Sequence, residues 1–315
     1  MLMFLARRLA ATVPVAVIVA VIVFLMTRLA PGDPAGALVG NAGTSADIDM
    51  VRQQLGLDRS LPVQFLHWAG QMLSGDLGTS YFLKRPVTEL VAQRIEPTLS
   101  LAAVTIVLSV LIALPLGVVA AWRKGSLIDR ILMSFSVMGF SVPVFLIGYV
   151  LIWLFALQWG VLPVQGYARL GDGAPVLAWL RHLILPSVTL SVVYIALIAR
   201  VTRAAMVEAL GEDFIRTARA KGLSVPRVLL RHALASAAVP IVTVVGLGIA
   251  LLIGGMVVTE TVFAIPGLGQ LSVDAAISRD YPVIQAVTLL FSAVYVIINL
   301  LIDISYLLLD PRVRY

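Results

Sequence analysis

No cysteine occurs among the 315 residues, and there are only three lysines and three histidines. Without a thiol the chain forms no disulfide, no thiolate metal site and no thiol nucleophile, so cysteine redox chemistry is excluded while the compartment stays undetermined. Charge is scarce too: 13% of residues are Asp, Glu, Lys or Arg, against about 25% in soluble domains. What fills the gap is apolar. Hydrophobic residues make up 60% of the chain and mean hydropathy is +1.00, the composition of a polytopic membrane protein. The net charge of +6 is modest, and the basic residues do not interleave with aromatics as on a nucleic-acid surface. Membrane orientation accounts for the excess, and nucleic acid is not expected as a partner.

The usual catalytic signatures are missing as well. A phosphate-binding loop G-x-x-x-x-G-K-[ST] needs a Gly-Lys pair, and none of Lys84, Lys124 and Lys221 follows glycine. Any ATP hydrolysis that drives this chain must therefore occur in another subunit. His67, His182 and His232 are isolated, and Gly139-Phe-Ser141 lacks the nucleophile-elbow pattern. The expectation is a chain without enzymatic activity, bound cofactor or metal.

A hydrocarbon core about 30 Å thick takes roughly 20 apolar residues of helix. Six segments qualify, near Leu9–Thr27, Leu99–Trp122, Ile131–Trp159, Leu183–Val201, Ile241–Val262 and Val283–Leu301. The third is too long for a plain span, and Pro143 inside it should kink or break the helix, because proline offers no amide proton. The first span follows Arg7-Arg8, and its apolar run exceeds the roughly 7–15 residues of a signal peptide, so it reads as an uncleaved anchor despite the weak cleavage-like Ala35-Gly-Ala37. Lys and Arg in short loops set orientation. The N-terminus has two, Arg123–Arg130 three, Arg200–Arg231 seven and the C-terminus two, against two in the third loop and one in the fifth. The richer set faces the cytoplasm, which places both termini there.

The long first loop has apolar anchors and Pro/Gly punctuation at Ala30-Pro-Gly-Asp-Pro34 and Ser74-Gly-Asp-Leu-Gly78, bracketing short helices near Ala46–Leu55, Leu61–Leu73 and Pro86–Arg94. A lid on the membrane domain and a docking surface for an external protein are both compatible with it. The domain reading is an anchor at 1–30, an extracytoplasmic loop domain at 31–97 and a core transmembrane domain at 98–315.

One cytoplasmic segment, 207–238, differs in character from the spans around it. Leu210, Phe214 and Ala218 recur every four residues on one face of a short amphipathic helix, with Arg216 and Arg219 polar. Arg219 and Lys221 suit the negative end of a helix dipole, and Gly222 is the expected left-handed terminator. A second helix should start at Ser224 and run toward Pro240. Ionisable groups in the spans sit near their ends: Glu260 in the fifth, Asn299 and Asp303 in the sixth. Each suits a helix-end group bonded to a neighbour, or a polar residue of a passage. Gly246, Gly248, Gly254 and Gly255 fit close helix packing and a pathway-lining helix equally well.

Phe4-Leu-Ala-Arg-Arg8, Leu29-Ala-Pro-Gly-Asp-Pro34, Leu55-Gly-Leu-Asp58, Gly75-Asp-Leu-Gly78, Asp213-Phe-Ile-Arg-Thr-Ala-Arg-Ala-Lys-Gly-Leu223, Arg231-His-Ala-Leu234, Pro266-Gly-Leu-Gly269, Arg279-Asp-Tyr-Pro282 and Asp310-Pro-Arg312 occur in this order. Together they make the chain resemble the inner-membrane permease subunits of bacterial peptide-type ABC importers, the DppB/OppB-like group, over nearly its whole length. The resemblance implies an all-α, six-span type I importer fold in the bacterial cytoplasmic membrane. It also implies a coupling motif of the form Glu-Ala-Ala-x3-Gly-x9-Ile-x-Leu-Pro. Aligned on Gly222, Ala218 and Leu234 match, whereas Arg216, Thr217, His232 and Ala235 depart from it in the manner of the peptide-type variant. A glutamate's role therefore does not carry over.

The residues assigned to ATPase coupling are Leu210, Phe214, Arg216, Thr217, Ala218, Arg219, Ala220, Lys221 and Gly222. Ser141, Gly248, Gly255 and Glu260 are placed near the translocation pathway. The implied partners are a second permease subunit, two ATPase subunits that bind ATP and Mg, an extracytoplasmic solute-binding protein and membrane lipid. Peptide is the implied cargo, with nickel or haem as alternatives within the family. An ion-coupled secondary transporter and a membrane scaffold are the alternatives outside it.

Overall fold

The computed structural model describes residues 2–29, 34–39, 44–54 and 56–309. The punctuation at residues 30–33, Leu55 and the Asp310-Pro-Arg312 motif lie outside them. Every named element among the described residues is helical, and the chain divides into two units, one of residues 1–95 and 270–296 and one of 96–269 and 297–315.

In the first unit α1 (Leu2–Leu29) is followed by three short helices, α2 (Pro34–Val39), α3 (Ser45–Gln54) and α4 (Leu61–Leu73). The last two match the expected helices, and α4 begins where Pro62 occupies its first turn, a position at which a missing N–H costs nothing. Phe24 of α1 meets Phe65 and Trp68 of α4 with ring centroids 5.5 and 5.6 Å apart, in edge and tilted geometries that aromatic quadrupoles favour. A hydrogen-bonded chain then crosses to α14 (Tyr281–Leu309). The Trp68 indole donates to Gln285 Oε1 (3.1 Å), Gln285 Nε2 donates to Thr27 Oγ1 (2.7 Å), and all three residues are buried. Buried Asp280 accepts from the Ser80 hydroxyl and from the Tyr81 amide (3.0 Å), fastening the end of the first loop to the start of α14. Burial pushes the Tyr81 phenol above its ordinary range, partly offset by the positive charge of Arg28.

Helix α5 (Val87–Trp122) corrects one expectation. The short helix at Pro86–Arg94 and the span beginning near Leu99 are one continuous 36-residue helix that runs through Pro97 and Pro115. An interior proline frees one carbonyl and bends a helix without ending it when neighbouring groups meet the freed atom. An unforeseen helix, α13 (Leu268–Ser278), occupies the fifth loop.

The second unit is built around α8 (Val176–Gly211), most of whose middle is buried. Three helices reach it through glycine. A Cβ on Gly117 of α5 would lie 2.6 Å from Thr202 Cβ and 2.8 Å from the Ala199 carbonyl, and one on Gly139 of α6 (Leu127–Ser141) would lie 3.0 Å from Ala196. At Gly148 of α7 (Val144–Leu151) the spacing to Thr189 would be 3.4 Å. Small residues are what permit such approach where lipid removes the hydrophobic drive for association. As expected, the third span breaks at Pro143: Val142 is extended (φ −96°, ψ 125°), the backbone forced on a residue before proline, and α7 restarts after it and ends in a π-helical turn at Ile152–Gln158. Five helices among the described residues are long and apolar enough to cross a membrane, six when the α6–α7 pair counts as one span.

Candidate functional site

Helix α8 stops at Gly211 because Glu212 turns extended (φ −72°, ψ 151°). The same residue caps α9 (Asp213–Ala220), its carbonyl accepting from the Ile215 amide at 3.1 Å. This break resets the helical screw, so Leu210 and Phe214 do not share one face as the four-residue spacing suggested. The inward face of α9 is Ile215 and Ala218, 0% and 7% exposed, seated among Met206, Ala209, Val228, Leu229 and Ala233 with Leu210 and Leu223 packed at the margin. Phe214 is instead 43% exposed. With it on the outside stand Arg216, Thr217, Arg219, Ala220, Lys221 and Gly222. Ile215 escaped notice in the sequence because it falls outside the four-residue series Leu210, Phe214 and Ala218, which the break at Glu212 interrupts.

The end of α9 is a complete Schellman motif. Gly222 adopts φ +75°, its amide donates to Arg219 O (2.9 Å), and the Leu223 amide donates to Ala218 O (3.3 Å). Nothing lies within 4 Å of where a Cβ on Gly222 would be, so the backbone conformation, not crowding, requires glycine there. Arg216 pairs with Asp213 at 3.0 Å, but side chains 80% and 93% exposed gain little from such a pair. The outward face of α9 is therefore a half-exposed aromatic ring beside three cations. It is held rigidly from behind by apolar packing and free in front.

Beyond Gly222 the chain re-enters helix at Ser224, as expected, but not as one regular helix toward Pro240. A turn at Val225–Arg227 (α10) passes into a π-helical segment, Val228–Ala233, then α11 (Leu234–Ser236), and a break at Ala237 (φ −82°, ψ 0°) precedes α12 (Ala238–Val262). Ile241 of α12 belongs to the same buried cluster as Ile215, which joins α9 to the base of α12.

The four residues assigned to the passage are not brought together. Ser141 ends α6, exposed, with its hydroxyl donated to Val137 O (3.1 Å). Gly248 and Gly255 both face α8, where Cβ atoms would come 3.4 Å from the Tyr194 ring and 3.0 Å from Leu190. The opposite side of α12 is open instead: Leu247, Leu251 and Val258 are exposed, and Gly254 has no atom within 4 Å of a Cβ position. Glu260 is 0% exposed and accepts from the Thr98 hydroxyl at 2.6 Å. Thr98 stands 162 residues away in sequence, with no local pattern to announce the pairing.

Comparison with known proteins gives this arrangement a setting. A family described as the binding-protein-dependent transport system inner membrane component matches residues 113–315, and its N-terminal counterpart matches residues 1–102. A probable peptide ABC transporter permease protein of Sinorhizobium fredii is 53% identical over 312 residues, 99% of each chain. A glutathione transport system permease protein of Pectobacterium atrosepticum is 46% identical over 316 residues and covers 100% of both. Among solved structures, the methionine ABC transporter MetNI in an inward-facing form superposes with a TM-score of 0.57 at 20% identity, covering 70% of this chain and 96% of that one, a likeness of fold. The chain belongs to the binding-protein-dependent transport system inner membrane component family and is a multi-pass permease subunit of the ABC importer class.

Proposed function

We propose that this permease forms, with a second homologous permease subunit, the passage of an ATP-driven importer of short peptides, and that α9 is the element through which ATPase subunits drive it. The observation that carries the reading is the two-sidedness of α9. Ile215 and Ala218 lock one face into the chain's own core, while Phe214, Arg216, Thr217, Arg219, Ala220 and Lys221 are left to a partner. An aromatic ring ringed by cations suits a cleft with an apolar floor and acidic rim. Two ATPase subunits would bind ATP and Mg, this chain holding no cofactor of its own. An extracytoplasmic solute-binding protein would deliver cargo. Peptide as cargo is supported by relatives named for peptide and glutathione transport at 53% and 46% identity.

In this reading α9 and both termini face the cytoplasm, in agreement with the basic loops. Residues 1–30 anchor the chain, 31–97 form the extracytoplasmic domain and 98–315 the transporting core. Ser141, Gly248, Gly255 and Glu260 act on the passage by shaping α6, α7 and α12 rather than by lining it. The test is ATP-driven peptide uptake in proteoliposomes by the whole complex carrying Gly222→Trp or Phe214→Asp. Uptake should collapse while membrane insertion stays at the wild-type level. Survival of uptake in both variants would rule the coupling role out.

A further inference from the structure

The end of α12 remote from α9 is held by a carboxylate. Glu260, in the last turn of α12, accepts from Thr98 Oγ1 at 2.6 Å, and that hydroxyl oxygen accepts in turn from the Leu268 amide at 2.8 Å. The Ile265 amide donates to the Glu260 carbonyl at 2.8 Å. The turn between Phe263 and Gly269 is thus wrapped around one side chain. Its glycines leave room for that side chain: a Cβ on Gly267 would fall 2.3 Å from the Glu260 carboxyl, and one on Gly269 would fall 2.9 Å from Oε2 and 2.7 Å from the Val257 backbone. Ala264 in the same turn is held at φ +46°, a conformation that L-residues avoid.

A second polar knot uses Glu96 and Ser100, which flank Thr98 on α5. Tyr167 donates to Ser100 Oγ (2.9 Å), accepts from the Trp179 indole (2.9 Å) and lies 3.3 Å from Glu96 Oε1, while Leu170 donates to Glu96 at 3.0 Å. The Gly166 amide reaches Phe263 O at 2.9 Å. The stretch of α5 around Pro97 therefore grips both the 160–175 loop and the 263–269 turn.

Burying a carboxylate is costly unless every lone pair is used, and an apolar residue would pack this site more cheaply. What the polar clamp supplies is a fixed geometry. Helix α12 has 25 residues, about 37 Å of helix, with the α9 cluster at its base and Glu260 at its tip. We propose that Glu260 and Thr98 are positioning residues for transport: they fix the 263–269 turn to the tip of α12, so that displacement entering at α9 moves the turn instead of fraying the helix end. Glu260, fully buried, serves the passage without touching cargo.

The proposal rests on the permease reading, and the experiment separates the two. The complete transporter is reconstituted with wild-type chain or with Thr98→Val, Thr98→Ser, Glu260→Gln or Glu260→Asp, and assembled complex, ATP hydrolysis and peptide uptake are measured together. Thr98→Val and Glu260→Gln should keep hydrolysis within about twofold of wild type while uptake per ATP falls by about fivefold or more, and Thr98→Ser should restore it. Glu260→Asp keeps the charge but shortens the reach by one carbon, so it carries the same expectation if Thr98→Val does not assemble. Unchanged uptake per ATP in the assembled variants, or parallel loss of uptake and hydrolysis, would overturn the positioning role. Absence of ATP-dependent uptake in the wild-type complex would instead remove the permease reading on which it stands.

Discussion

Arg203 forks onto Asp129, its Nη2 donating to Oδ2 at 2.8 Å and its Nε donating to Oδ1. The Gly125 amide adds a third bond to the same carboxylate at 2.8 Å. Asp129 opens α6 and is 4% exposed; Arg203 lies two turns before α8 gives way to α9. The pair therefore ties the Arg123–Arg130 loop to the end of α8 that carries α9. Bidentate geometry is what a guanidinium offers and an ammonium does not.

Asp129→Asn should lower the stability of the purified chain by about 2–3 kcal/mol, below the full value for a buried pair because the Arg203 side chain is 22% exposed. Adding Arg203→Gln should recover part of the loss, since no lone charge then remains. Thermal unfolding in detergent reads both, and additive losses in the double variant would show that the two residues act separately.

The glycines divide by what surrounds them. Gly117→Ala should cost about 1–3 kcal/mol, because its Cβ would meet Thr202 Cβ and the Ala199 carbonyl, neither of which can swing away. Gly254→Ala, with nothing within 4 Å, should leave the isolated chain unchanged or more stable by up to about 1 kcal/mol through helix propensity. Equal effects from the two substitutions would contradict the packing of α5 on α8.

The spans, the break at Pro143 and the terminator at Gly222 were legible in the sequence because each depends on local chemistry: a run of apolar side chains, a missing amide proton, a missing Cβ. The face of α9 was misread because one extended residue, Glu212, resets the register, and no residue type demands that conformation there. The helix expected at Pro86–Arg94 and the span expected from near Leu99 join through Pro97, since the environment of that residue, not its ring, decides whether the helix continues. Gly248 and Gly255 share a face as their spacing requires, yet which neighbour that face meets is settled by Tyr194 and Leu190 on another helix. The partners of Glu260 and Asp129 are 162 and 74 residues away, a distance over which periodicity says nothing.

The coupling claim is tested most directly by contact. The native chain has no cysteine, so Phe214→Cys introduces a single thiol on the outward face of α9 and Ile215→Cys a single thiol on its buried face. In membranes containing the whole complex, a short thiol crosslinker should join the Phe214→Cys chain to an ATPase subunit, with a yield that changes when ATP is bound, and should leave the Ile215→Cys chain unjoined. Failure of the Phe214→Cys chain to crosslink in an assembled, ATP-hydrolysing complex, or equal crosslinking from both positions, would contradict the account.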